Sequence, residues 1–138
     1  MSNKALRIMI ADREHSRRVA IERDFNKMGY FAIAPASDLE EVLALLEYGT
    51  AIFDLVLINA QLAHSDRFNM LTFRLNNFRV RHSFIYNVPE LRITMLSKSS
   101  ALRMTLSPLQ QPNDQDIKGL LLKVDPPVLH KFNPMLGR

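Results

Sequence analysis

Short apolar runs alternate along this chain with segments whose apolar residues recur at helical spacing, and this alternation constrains the fold most. The clearest run is Phe53-Asp54-Leu55-Val56-Leu57-Ile58, which is continuously apolar after Asp54. A strand without polar alternation has both faces buried, as in a parallel sheet covered by helices on each side. Leu6 to Ala11, Tyr30 to Ala34, Ser83 to Asn87 and Leu102 to Leu106 read as four more strands. Between the first two, Glu14 to Met28 places Ile21, Phe25 and Met28 at i, i+4 and i+7, and Gly29 supplies a stop. Ser37 or Asp38 caps a second helix, Leu39 to Glu47, with Val42, Leu43, Leu45 and Leu46 as its stripe and Gly49 at its end. Ser65-Asp66 opens a third helix running through Phe78, and Pro89 a fourth reaching about Ser99. Asn113 or Asp114 caps a fifth, about Gln115 to Val124, in which Gly119 costs roughly 1 kcal/mol relative to alanine. Five strands alternating with five helices predict an α/β protein: a doubly wound, five-stranded parallel sheet in three layers with right-handed crossovers. Functional groups in such a sheet gather beyond the carboxyl ends of the strands. Here those ends are Asp12-Arg13, Asn59-Ala60, Asn87-Val88 and Ser107-Pro108.

Composition removes several classes of function. A length of 138 residues suits one domain, read as residues 1–125, followed by an extended or disordered tail over 126–138. The absence of cysteine excludes a disulfide framework, a thiolate metal site and a thiol nucleophile. His15, His64, His82 and His130 fall on four segments without an i, i+4 pair, so they read as surface or loop residues rather than metal ligands. Arg13-Glu14-His15-Ser16 after the first strand has no glycine to cradle a phosphate. No segment approaches the roughly 20 apolar residues of a membrane span. The first apolar run is short and interrupted by Arg7, so it is no signal peptide core, and a cytoplasmic protein is expected. The net charge of +4 fits a solvated basic surface, with an acidic partner or nucleic acid as the sharper reading. Arg74, Arg79, Arg81 and His82 cluster near the end of the third helix, either as cations complementing that helix end or as a patch for an acidic partner or nucleic acid. Phe68, Phe73 and Phe78 cannot share one helix face, and Phe73 is expected to be exposed.

The spacing of several polar and apolar positions resembles the receiver domains of bacterial response regulators, over about residues 5 to 124. Asp12 closes the first strand, as the family's acidic pair does. Arg18, Ile21, Phe25, Gly29 and Tyr30 fall where that family's first helix carries its Arg, its apolar positions and its Gly-Tyr ending. Asp54-Leu55-Val56-Leu57-Ile58 is similar to the family's strand leading to the phosphoacceptor, and Leu106-Ser107-Pro108-Leu109 to the strand ending in Lys-Pro-Leu. The resemblance implies a flavodoxin-like (βα)5 fold. It also implies a site of two acids holding Mg²⁺, an aspartate that takes the phosphoryl group, a Thr or Ser that senses it, and a Lys that neutralises it.

This sequence keeps only Asp12 of those parts. Arg13 stands at the second acid, Asn59 at the phosphoacceptor, Asn87 at the Thr/Ser position and Ser107 at the Lys. An amide is a poor nucleophile, and acyl-phosphate formation requires a carboxylate oxygen. Asp12 beside the fixed charge of Arg13 makes a weak magnesium site, with an Asp12–Arg13 pair or an Arg13–Asn59 contact as the more natural arrangement. The expectation is a vestigial site without catalysis, cofactor or metal, whose neutral residues form a hydrogen-bonded network. The function that follows is binding a protein partner, such as a histidine kinase or another signalling protein, or self-association, within two-component, phosphorelay-type signalling. The family's output surface would here include Ile93, Met95, Leu96 and Met104. Alternative readings are the N-terminal module of a longer transcriptional regulator, with Pro126-Pro127 as linker, and a nucleic-acid-binding module using the basic surface. No output motif lies in these residues, so the chain alone is not expected to read DNA, and no membrane association is expected.

Overall fold

The structure is a computed structural model that describes residues 5–49, 52–77, 80–96 and 103–126; the side chains of Ser65, Asn77, Met95 and Leu96 also lie outside the description. Its elements are β1 (Ile8–Ala11), α1 (His15–Lys27), β2 (Ile33–Ala36), α2 (Leu39–Tyr48), β3 (Phe53–Asn59), α3 (Ser65–Asn77), β4 (Val80–Tyr86), α4 (Glu90–Leu96), β5 (Met104–Leu106) and α5 (Asp114–Val124), with a 3-10 turn at Ala60–Leu62. All strand pairs are parallel, in the order β2-β1-β3-β4-β5. That is the flavodoxin-like order, a three-layer α/β/α fold.

Side-chain alternation along the strands divides the interior in two. Ile8, Ile10, Leu55, Leu57, Phe84 and Tyr86 join Ile21 and Phe25 of α1 and Ile117, Leu120 and Leu121 of α5. Met9, Ala11, Val56, Ile58 and Ile85 join Leu39 and Val42 of α2 and Phe68, Leu71 and Leu75 of α3. The central strands are sealed on both sides, which is why β3 is apolar without alternation. Each large side chain buried this way contributes roughly 1.5–3 kcal/mol relative to exposure.

Local chemistry sets the helix ends. Asp38 caps α2, its Oδ1 accepting from the Glu41 amide at 2.8 Å, while Ser37 donates to Glu41. Asn113 and Asp116 form a reciprocal capping box at α5, with contacts of 2.8 and 3.0 Å. α5 therefore starts at Asp114, one residue before the expected position. Gly29 closes α1 at φ 91, a backbone angle that favours glycine.

Strand boundaries differ from the sequence reading: β1 starts at Ile8 rather than Leu6 and β3 ends at Asn59 rather than Ile58. β2 occupies Ile33–Ala36 rather than residues 30–34, so Pro35 lies inside the strand, opposite Ile10. It is tolerated because β2 is an edge strand. The Ile8 amide bonds to the Ala32 carbonyl and the Asp12 amide to the Ala36 carbonyl, which leaves the Pro35 nitrogen on the open side. β4 begins at Val80, three residues before the expected start, and ends at Tyr86, so Asn87 lies just beyond it. The described part of β5 is Met104–Leu106, while Leu102, the expected continuation of α4 to Ser99 and the tail at 127–138 lie outside the described residues. Phe73 is exposed, as its helix position requires. No helix among the described residues is long and apolar enough to cross a membrane.

Candidate functional site

The carboxyl ends of β1, β3 and β4 bring Asp12, Asn59 and Tyr86 together around one buried carboxylate. Asp12 is 1% exposed and Asn59 3%. The Asp12 Oδ1 accepts from the Glu14 amide at 2.9 Å and from Arg17 Nη1 at 3.1 Å. Its Oδ2 accepts from the Tyr86 hydroxyl at 2.6 Å, Asn59 Nδ2 at 3.1 Å and Arg17 Nη1 at 3.2 Å. Arg18 donates to the carbonyls of Asp12 and Arg13, which ties the strand end to α1. The bond to the Glu14 amide also explains how α1 starts, since Glu14 itself provides no side-chain cap.

Asn59 is oriented from both ends. Its Nδ2 faces Asp12, and its Oδ1 accepts from the Gln61 amide at 2.9 Å and from Asn87 Nδ2 at 3.3 Å. Asn87 sits at φ 60, in the left-handed region that asparagine tolerates better than most residues. Its amide donates to the Leu109 carbonyl at 2.7 Å, and the Val88 amide to the Ser107 carbonyl at 2.9 Å. Ser107 is buried, but it belongs to this second group. Its Oγ accepts from the Leu109 amide at 3.2 Å, and no described bond joins it to Asp12 or Asn59. The structure thus gathers Asp12, Asn59 and Asn87 into one network and sets Ser107 beside it as a strap between the ends of β4 and β5.

Arg13 corrects the sequence reading. Its side chain is exposed, and the cation on Asp12 is Arg17, in the first turn of α1. Adjacent residues at a strand end diverge, whereas a helix turning back over the strand returns its first-turn side chains to that end. Tyr86 was also missed, because an aromatic at the end of an apolar run reads as core. One signal in the sequence pointed to Arg17. Paired cations in a helix's first turn oppose the macrodipole, which marks a nearby acid.

The electrostatics follow from burial and donors. Burial by itself would raise the Asp12 pKa, but hydrogen bonds from Tyr86, the Glu14 amide, Asn59 and Arg17 outweigh it and hold the carboxyl below its ordinary value. Burial and the bond to Asp12 push the Tyr86 hydroxyl upward, so it remains a donor. A carboxylate offers about four lone-pair positions, and these donors take them all. Mg²⁺ demands several open, anionic oxygens in octahedral geometry. The residues present do not fit it, and among the described residues no group of three or more His, Asp or Glu is placed to hold a metal ion.

Two hollows flank the network. One of about 210 Å³ is lined by Asp12, Arg13, Arg17, Asn59 and His64, and one of about 610 Å³ by Ala60, His64, Phe68, Asn87, Pro89 and Arg92. The other candidate residues lie elsewhere. Ile93 and Met104 are half-buried and pack against the α2/α3 side of the core, while the side chains of Met95 and Leu96 are outside the description. Among the described residues, the large apolar side chains exposed on α4, the loop after β5 and α5 are Leu91, Leu109 and Leu122. In the basic cluster, Arg74 pairs with Glu47 and Arg81 with Asp54, His82 is buried rather than on the surface, and Arg79 lies outside the described residues.

Substituting Asn59→Asp tests the polarity of the network. A second carboxylate would face Asp12 Oδ2 where a donor now sits at 3.1 Å. Two such groups cannot both ionise freely, so one is expected to take up a proton near neutral pH. The expected cost is about 2 kcal/mol at pH 7, shrinking as the pH falls toward 5. Urea midpoints at the two pH values measure it, and an equal cost at both would show that the facing charge is not its source.

No protein-family model matches the chain, and no curated protein matches it, so the site is read from its own geometry.

Proposed function

We propose that this chain is a receiver-like domain that does not take phosphate and acts by binding a protein partner. The observation that carries the reading is the saturation of Asp12 by Tyr86, Asn59, Arg17 and the Glu14 amide. Phosphoryl transfer depends on a nucleophile and on cations aimed at the moving charge. Here an amide stands at the nucleophile's position, and the cation that a metal would supply is replaced by a guanidinium already engaged. A network of this kind holds one conformation of the carboxyl edge, which suits constitutive recognition. The pairing of Arg74 and Arg81 with acids favours a protein partner over nucleic acid.

The test uses acetyl phosphate with Mg²⁺ and intact-mass measurement, alongside NMR with beryllofluoride. No adduct and no shifts around Asn59 are expected. Asn59→Asp alone is expected to stay unmodified as well, since Arg17 and Tyr86 still occupy the remaining acid. A phosphoryl adduct on the unsubstituted protein would overturn the reading. Affinity capture from lysate is expected to return a signalling protein, whereas salt-sensitive binding to DNA or RNA would replace this reading with a nucleic-acid module.

A further inference from the structure

The hollow of about 610 Å³ beside the network lies between the segments that follow β3 and β4, and its volume falls in the range of small-ligand sites, roughly 300–1,000 Å³. Its lining divides by chemistry. Ala60, Ala63, Phe68 and Val88 are buried apolar side chains, with Pro89 and Pro108 beside them. Gln61, His64, Asn87, Glu90 and Arg92 supply the polar groups. An apolar lining with a few hydrogen-bonding groups suits a ligand that has an apolar body and one polar end.

Arg92 indicates the charge of that end. Its guanidinium lies over the Phe68 ring, 4.8 Å from the ring centroid, and Phe68 is fixed in the core. Stacking orients the planar fork and leaves its N–H donors to bind in the plane of the group. Arg17, Arg67, Arg74 and Arg81 each meet an acid, but among the described residues no acid meets Arg92. Asn87 adds a donor. Its Nδ2 carries two protons and directs one to Asn59 Oδ1, which leaves the other. A guanidinium fork and an amide proton fit a carboxylate. Glu90 is the acid among the described lining residues, and its charge disfavours a dianion such as phosphate over a single carboxylate.

We propose that this hollow binds a small organic monocarboxylate, with the carboxylate on Arg92 and Asn87 and the apolar body against Phe68, Val88 and Ala60. The site goes beyond the partner-binding reading, and failure of either leaves the other standing, because Arg92 and Phe68 take no part in the Asp12 network. Amide NMR titrations of the full chain at pH 7 test it, with phenylacetate and its neutral analogue phenylacetamide as probes. Phenylacetate is expected to shift the amides of Ala60, Ala63, Phe68 and Val88 saturably, with a Kd on the order of 1 mM. Phenylacetamide is expected to bind at least about ten-fold more weakly. Arg92→Gln is expected to reduce the acid to the affinity of the amide while the signals of Asp12 stay in place. Glu90→Gln is expected to tighten the acid and leave the amide unchanged, which tests the charge without touching Arg92. The proposal is overturned if phenylacetate up to about 10 mM gives no saturable shift at those amides. It is equally overturned if acid and amide bind alike, if Arg92→Gln keeps the preference, or if Glu90→Gln weakens the acid.

Discussion

Replacing Asp12 by alanine is expected to remove about 3–5 kcal/mol of stability, the range for breaking a buried ion pair by deleting one partner. The change strands three donors at once. The Tyr86 hydroxyl and Asn59 Nδ2 are buried with their partner gone, and the Glu14 amide loses the acceptor that starts α1. Arg17 contributes less than a fully buried cation would, because its side chain is 26% exposed. Urea denaturation should show a lower midpoint with an unchanged slope, since the same surface is exposed on unfolding. Arg13→Ala is the control. Its exposed side chain should matter by less than about 0.5 kcal/mol. A double-mutant cycle pairing Asp12→Ala with Arg17→Ala should give clear coupling, and the same cycle with Arg13 none. A loss below about 1 kcal/mol for Asp12→Ala would show that the network is not holding this edge of the sheet together.

The second large effect concerns His82, which is 5% exposed on β4. Its Nε2 lies 2.8 Å from Thr105 Oγ1, and Lys123 Nζ donates to that same oxygen at 3.3 Å. Lys123 has only protons to give, so the Thr105 hydroxyl turns its own proton toward His82, which accepts as a neutral imidazole. Burial, and secondarily the charge of Lys123, lower its pKa from 6.5 to about 4. Between those values the unfolded chain binds a proton that the folded chain refuses. The contribution is therefore fully present above pH 6.5 and is lost as the pH falls toward 4, by up to about 3 kcal/mol. Asp12 loses its contribution in the same direction but in a more acidic window. Its pKa lies below the ordinary 3.8, so its contribution is complete above that value and disappears only under stronger acid. His82→Gln should therefore flatten the pH dependence of stability between 6.5 and 4 relative to the unsubstituted protein. A His82 resonance titrating near 6.5 in the folded protein would refute this account.

Much of the architecture was legible in the chain because a parallel sheet leaves continuous apolar runs and its helices leave stripes and caps. The run at Leu55–Ile58, the stripe of Ile21 and Phe25, and the cap choices at Asp38 and Asn113 all depend on interactions within a few residues. What escaped was set by contacts distant in sequence. Pro35 looked like the end of β2 because its lack of a donor is harmless only on an open edge, and edge position is a property of the sheet. Ser83 looked like the start of β4 because Val80-Arg81-His82 reads as polar until the sheet buries His82 beside Thr105. In the site, the strand ends Asp12, Asn59 and Asn87 could be named from position alone. Tyr86 could not, since it is disguised as core and only the side-by-side order of β1, β3 and β4 brings it to Asp12, while Arg17 was marked only by its cation pair at the start of α1 and is brought to the same carboxylate by the crossover of β1 into α1.

Pro35 has a further consequence for how molecules of this chain can meet. Its ring takes a donor from the outer rim of β2, and the rim at the far side, β5, is only three residues long over Met104–Leu106. Among the described residues, neither rim offers a long ladder of free amides and carbonyls on which neighbouring molecules polymerise strand by strand. Assembly through the described sheet is therefore expected to run through its side chains, and crowding the protein in solution is not expected to seed fibres from these two strands.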